Sequence, residues 1–351
     1  MAKLTHIAAG VLVAAGAAFG AAKGYAHWRV NSQLEDLAHA VSPWAELRWR
    51  GVSTELQGSI EVTGLTIAPR EVPEDIAIES VRIDTGDPRL LFSGLPRRPN
   101  EAPEKLSLDV RGLRIPLSGA LLDGLQQGKA GKRPEPCGPA GMPGPAMLAA
   151  MGVAALELDL DADLESPRGE GKMTLSFQYA TRGFDRMTAS MAVGGVEQGL
   201  PSLHAATLSY QPNADAYTRM IDHCARQRGS DRQTYLRTLA SESDAAFVES
   251  FGVAPGPGLR DAIARYLQQP GEVKVVLRPD AGLAMVPGAS RSLQYWIDAA
   301  GLSLYVNGQI VEDLSIVAAE RATAPPAADA PPPGGAAPHT ATTAGASGRA
   351  A

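Results

Sequence analysis

The stretch Ala155–Glu165, ALELDLDADLE, alternates apolar and acidic residues without a break. Leu156, Leu158, Leu160, Ala162 and Leu164 alternate with Glu157, Asp159, Asp161, Asp163 and Glu165. A helix would scatter both sets around its axis. A strand sends every apolar side chain to one face and every carboxylate to the other. The chain is therefore committed to a sheet with one dry face and one wet face. Same-face neighbours stand ~6.5–7 Å apart, too far for two carboxylates to share a Ca²⁺ at ~2.4 Å per ligand without a second strand. The acidic row reads as a solvated strand face, with calcium as the minor alternative.

The same period of two recurs on both sides. From Pro43, AELRWRGV, STELQGSIEVTGLTIAP and IAIESVRIDT alternate, with Ile60, Val62, Leu65 and Ile67 as expected buried positions and Gly58, Gly64 and Pro69 as punctuation. EKLSLDVRGLRIPLS sets Leu106, Leu108 and Val110 on one face, and GKMTLSFQYA, RMTASMAVGG and LHAATLSYQP continue the pattern. These runs predict antiparallel meanders. DPRLLFSGL, around Pro88, reads as a short helix. KAGKRPEPCGPAGMPGPA, residues 129–146, is rich in Pro and Gly and reads as a linker between two halves.

The period then changes to helical. NADAYTRMIDHCARQRG runs from a capping Asn213 to Gly229, and DRQTYLRTLASESDAAFVESFG reads as one helix from Asp231 to Gly252. GLRDAIARYLQQPG is a third helix, stopped by Pro270 and Gly271. A strand at EVKVVLRP, a helix at SRSLQYWIDAAG and a hairpin at LSLYVNGQIVEDLSIV follow. Asn307-Gly308 supplies the hairpin's type I′ turn. The expected fold is α+β: antiparallel β meanders with a helical insertion at about 213–268, preceded by an N-terminal transmembrane helix.

That first helix is read from Leu4–Ala22, LTHIAAGVLVAAGAAFGAA. Its length is close to the ~20 residues that span a bilayer, but Ala and Gly dominate it. It reads either as a membrane anchor or as a cleaved signal peptide. Gly16, Gly20 and Gly24 form GxxxGxxxG, a helix-packing face if the segment stays in the membrane, although Ala/Gly-rich sequence also makes this spacing by chance. Residues 25–43 continue as an amphipathic stalk, with Tyr25 and Trp28 suited to the bilayer interface. The layout is thus 1–24 anchor or signal, 25–128 stalk and first β-rich half, 129–146 linker, 147–318 second β-rich half with the helical region, and 319–351 a tail. The tail, nearly without bulky apolar residues, is expected to be disordered.

Little chemistry is legible. The net charge of −6 argues against a nucleic-acid partner. Two cysteines, Cys137 and Cys224, are expected to form one disulfide in an oxidising compartment, and would stay free thiols in the cytosol. None of the six histidines stands in metal-binding spacing, and the P-loop, GxSxG, SxxK and GxGxxG motifs do not occur, so no catalytic residue, cofactor or metal is assigned. His223 beside Cys224 would point ~100° away from it on a helix. Glu242, Asp244 and Asp313 carry no specificity. Arg97-Arg98 and Arg226–Arg232 read as loop and helix-end charges.

TELQGSIEVTGLTIAP ending at Pro69, TLSYQPNADAYTRM at Thr207–Met220 and YLQQPGEVKVVLRP at Tyr266–Pro279 carry a resemblance. With the N-terminal segment and the β-rich body, the chain resembles the membrane-anchored periplasmic proteins of Gram-negative bacteria around the AsmA-like group. The resemblance implies a non-enzymatic, single-pass inner-membrane protein with its bulk in the periplasm, acting in envelope lipid handling or outer-membrane homeostasis. Its partners would be the membrane, through the N-terminal segment, and either a lipid or an envelope protein. The alternatives are a structural accessory subunit of an envelope complex and a secreted hydrolase with an unrecognised site. The chain is much shorter than the long lipid-bridging members.

Overall fold

The computed structural model describes residues 24–70, 73–89, 103–117, 137, 145–195, 201–284 and 293–318. The expected membrane segment Leu4–Ala22 with Gly16 and Gly20, most of DPRLLFSGL and of the 129–146 linker, Arg97-Arg98 and the tail lie outside these residues. Among the described residues, no helix is long and apolar enough to cross a membrane. The first described element is a helix, α1, over 24–41. Its first described residue, Gly24, has open space where a Cβ would stand.

Strands β1 (Ala45–Arg48), β2 (Gly51–Glu55), β3 (Ser59–Pro69), β4 (Ile76–Asp84), β5 (Lys105–Pro116), β6 (Ala155–Glu165), β7 (Lys172–Thr181), β8 (Asp185–Gly194) and β9 (Ser202–Pro212) come first. Later follow β10 (Val253–Pro255), β11 (Val273–Leu277), β12 (Leu283–Ala284), β13 (Leu302–Val306), β14 (Gln309–Ile310) and β15 (Ile316–Ala318). All but β10 and β15 form one antiparallel sheet, ordered β1-β3-β4-β5-β6-β7-β8-β9-β11-β13-β14, with β2 on β3 and β12 on β9. From β3 to β9 every strand pairs with the next in sequence. The sheet also runs straight across the 129–146 linker, because β5 pairs with β6 from Lys105↔Glu165 to Pro116↔Ala155.

One irregularity keeps the dry face dry. Val110 faces Leu160 but Leu113 faces Leu158, so β5 carries an extra residue at Arg111–Gly112. β4 and β3 stay in step with β5: Val81 and Ile78 lie opposite Val62 and Leu65. The apolar residues of β3 and β4 therefore change phase along the strand while remaining on one face. Gly112 (φ +60°) and Gly64 (φ +62°) hold the left-handed backbone this requires. Ile60, Val62, Leu65 and Ile67 share that face as expected, but only Val62 is buried and the other three are half-buried.

Helices α2 (Pro145–Ala150), α3 (Ala214–Gln227), α4 (Arg232–Ala240), α5 (Asp244–Phe251), α6 (Pro257–Gln268) and α7 (Leu293–Ala299) complete the fold. Asn213 caps α3 by accepting from the amides of Asp215 and Ala216. The single helix expected from Asp231 to Gly252 is two helices. Ser243 adopts an extended backbone and its side chain accepts from the Ala246 amide, so Ser241–Ser243 end α4 and start α5. Asn307 (φ 54°) and Gly308 (φ 77°) form the hairpin turn.

A disulfide joins Cys137 to Cys224 on α3, with Cα atoms 5.4 Å apart. It sits in a cluster with Met147, Ile221, Ala225, Tyr235 and Leu239. The Tyr235 hydroxyl donates to the Cys137 carbonyl at 2.8 Å. The pairing removes Cys224 from any thiol chemistry with His223, whose ring instead contacts the Gln227 amide at 2.9 Å.

Candidate functional site

The apolar side of the sheet is continuous. Val62 faces Val81, Val81 faces Val110 and Val110 faces Leu160. The row goes on through Tyr179, Met187, Tyr210 and Val273 to Val306. A second row beside it runs from Ile60 and Ile83 through Leu108, Ala162, Phe177, Ala189, Leu208 and Val275 to Leu304. Leu106, Leu164, Leu175 and Met191 begin a third.

Burial along these rows is uneven. Val62 and Val306, at the ends of the first row, are buried, and every residue between them is only half-buried. In the second row Ile83 and Leu208 are 37% and 38% exposed. At one end α6 accounts for the burial, packing Leu259, Ala262 and Tyr266 against Leu304, Val306 and Val311. Near the bulge, Leu148 of α2 covers Leu156 together with Leu117 and Phe184. The helices α3 and α4 pack on Cys137 and Met147 rather than over Leu158–Leu164. Among the described residues the middle of the face is left half open. Its area, about six strand spacings by three side-chain rows, is on the order of 500 Å². Only part of that footprint is exposed, and the largest apolar patch on a monomer, about 300–600 Å², is often functional.

A tyrosine group borders this face. Burial and the nearby Asp185 carboxylate push the Tyr210 hydroxyl well above its ordinary pKa. The Tyr266 hydroxyl is pushed up to about 12 for the same reasons, burial first. These phenols stay neutral over the whole physiological range, so they add no charge to the apolar surface.

The opposite face is polar and cross-linked rather than merely solvated. The Arg111 Nη2 donates to Asp109 at 2.6 Å and to Asp161 at 2.5 Å. Ser107 donates to Asp163 at 2.6 Å, and the Gly112 amide donates to Asp159 at 2.8 Å. Asp159, Asp161 and Asp163 of the acidic row are thus spent on fastening β6 to β5, while Glu157 pairs with Arg182. Among the described residues no three His, Cys, Asp or Glu side chains converge as a metal site would need.

Three of the other charged residues singled out in the sequence, Asp244, Arg232 and Asp313, make local structural contacts. Asp244 pairs with Arg260, Asp222 receives Arg232 at 2.5 and 2.6 Å, and Asp313 accepts from the Ser315 amide at 2.9 Å. One contact was not legible in sequence. Ser202 Oγ lies 3.1 Å from His204 Nε2 on β9. A nucleophile and base need a third group to orient the base. Among the described residues no carboxylate is hydrogen-bonded to the His204 ring.

Fold and surface together define a class: a single antiparallel meander sheet whose apolar face is, among the described residues, half open between helices packed at separate places along it. A family model described as "Uncharacterized protein" matches residues 149–305, which run from α2 to β13. No curated protein matches the chain.

Proposed function

We propose that the chain is a non-enzymatic, inner-membrane-anchored envelope protein whose apolar sheet face takes up the acyl chains of lipid. The observation that carries this reading is the first apolar row, buried at Val62 and Val306 and half open between. Acyl chains are apolar, flexible and without hydrogen-bonding needs, so they fit a dry strand surface that offers none. The disulfide supports an oxidising compartment, since thiols in the cytosol are kept reduced. The N-terminal run Leu4–Ala22 supplies an anchor, and the resemblance to the AsmA-like group implies the same role.

Phe177 stands in the middle of the open rows, opposite Ala162 and Ala189. A carboxylate placed there meets acyl chains with no partner to offset its desolvation. Native mass spectrometry of the full chain is expected to show bound phospholipid, and Phe177→Asp is expected to lower its occupancy about tenfold or more. Equal lipid in both proteins, or none in either, sinks the lipid reading. An envelope protein retained by the wild type and released by Phe177→Asp would instead select the accessory-subunit reading.

A further inference from the structure

The polar face is divided by charge. On β5 and β6 the Arg111 cation is matched by both Asp109 and Asp161. Toward β1 the balance reverses. A cleft of about 520 Å³ there is lined by Arg48, Arg50, Arg114 and Arg182, against two carboxylates, Glu79 and Glu157. Arg182 is held by Glu157 at 2.7 Å, and Arg48 by Asp75 at 3.3 Å and Glu46 at 3.4 Å. Arg50 and Arg114 have no carboxylate partner among the described residues. With Glu79 also outside any ion pair among the described residues, two guanidinium groups against one carboxylate leave the cleft a surplus of positive charge, in a chain whose net charge is −6.

The register explains why there is a cleft. Arg48 faces Thr66, Thr66 faces Ala77, and Ala77 faces Arg114. Two arginines thus flank two short side chains across three strand spacings, roughly 14 Å. Two residues further along, Gly64 and Gly112 also bring the floor down to backbone. A side chain at Gly64 would collide with the Arg50 guanidinium, so the glycine lets Arg50 lie along the floor. Trp49 forms part of the wall, and its indole N–H donates to Asn31 of α1 at 3.3 Å.

We propose that this cleft binds a phosphate group, gripped by the uncommitted guanidinium groups of Arg50 and Arg114. A guanidinium offers parallel N–H donors whose spacing matches two phosphate oxygens, and it carries its charge at every physiological pH. Two such groups meet a doubly ionised phosphate from different sides, and the carboxylates already paired with Arg48 and Arg182 leave those residues as walls. The site lies on the face opposite the apolar rows, so it stands or falls independently of the lipid reading. The phosphate can belong to a phospholipid headgroup or be free in solution; the chemistry recognised is the same.

The test is calorimetric titration of the detergent-solubilised full chain with inorganic phosphate, dihexanoyl phosphatidate and, as a phosphate-free counterpart, dihexanoyl glycerol, all at low salt. Saturable binding of at least one phosphate probe is expected, with none for the glycerol. Arg50→Gln/Arg114→Gln should weaken that binding at least about tenfold, while Arg186→Gln, on the polar face of β8, should leave it unchanged. Tight phosphatidate binding that inorganic phosphate displaces poorly assigns the site to a headgroup. Equal affinity for both assigns it to free phosphate. Absence of saturable binding, or binding that the double variant retains, overturns the proposal. If the glutamine variant fails to fold, Arg114→Lys, which keeps the charge and removes the fork, must still weaken binding.

Discussion

Replacing both Cys137 and Cys224 with alanine should cost the folded chain about 4 kcal/mol, on the order of 10 °C in melting temperature. The bridge closes a loop of sequence separation 87, and a loop that long removes much of the freedom of the unfolded chain. The native side adds to this. Both cysteines are over 95% buried, in the cluster where α3 and α4 meet Met147. Cys137 also presents its carbonyl to the Tyr235 hydroxyl, so losing the bridge loosens Cys137 from α3 and weakens that buried hydrogen bond. A reductant should therefore bring the wild type to the stability of the double variant and leave the variant itself unmoved. Urea unfolding of both proteins with and without reductant makes the comparison. Two free thiols in the purified wild type, or a reductant without effect, would contradict the pairing.

The legibility of the fold followed the strength of local signals. The alternation of Ala155–Glu165 placed β6 to the residue, and Asn213, Gly229 and Asn307-Gly308 set helix and hairpin ends correctly, because each acts through its own backbone. The break at Ser241–Ser243 was missed because the apolar period carries on across it, while the event that ends the helix is a single side chain capping the next one. The single sheet was hidden by the linker at 129–146, since pairing of β5 with β6 is a long-range fact that composition cannot carry. The candidate sites were less legible still. An apolar strand face looks the same in sequence whether a helix roofs it or not, and only the position of α3, α4 and α6 distinguishes the two. The arginine cleft joins residues from β1 to Arg182, which no spacing rule connects.

Gly112→Val should damage the sheet strongly, with a loss of about 3 kcal/mol. Two effects add. Valine resists the left-handed backbone at φ +60°, at roughly 1–2 kcal/mol. Its Cβ would also stand 2.8 Å from the Glu79 Cβ and 2.9 Å from a Glu79 carboxylate oxygen, so Glu79 must leave its place. If the strand escapes by straightening, the extra residue between Val110 and Leu113 is lost. Everything on one side of it then turns over, taking Leu113 and Ile115 from the dry face to the wet one. Gly183→Val provides the contrast. That glycine also has positive φ (+77°), but nothing lies within 4 Å of its missing Cβ, so only the backbone term of about 1–2 kcal/mol applies. Urea midpoints of the two variants separate strain from collision. Amide exchange then locates the damage: β3 to β5 should lose protection before β7 to β9, because the phase change ends at β6. A Gly112→Val protein as stable as Gly183→Val, with uniform exchange, would mean that the bulge does not organise the dry face. The half-open apolar surface would then have to owe its continuity to packing at its ends, where α6 and α2 sit.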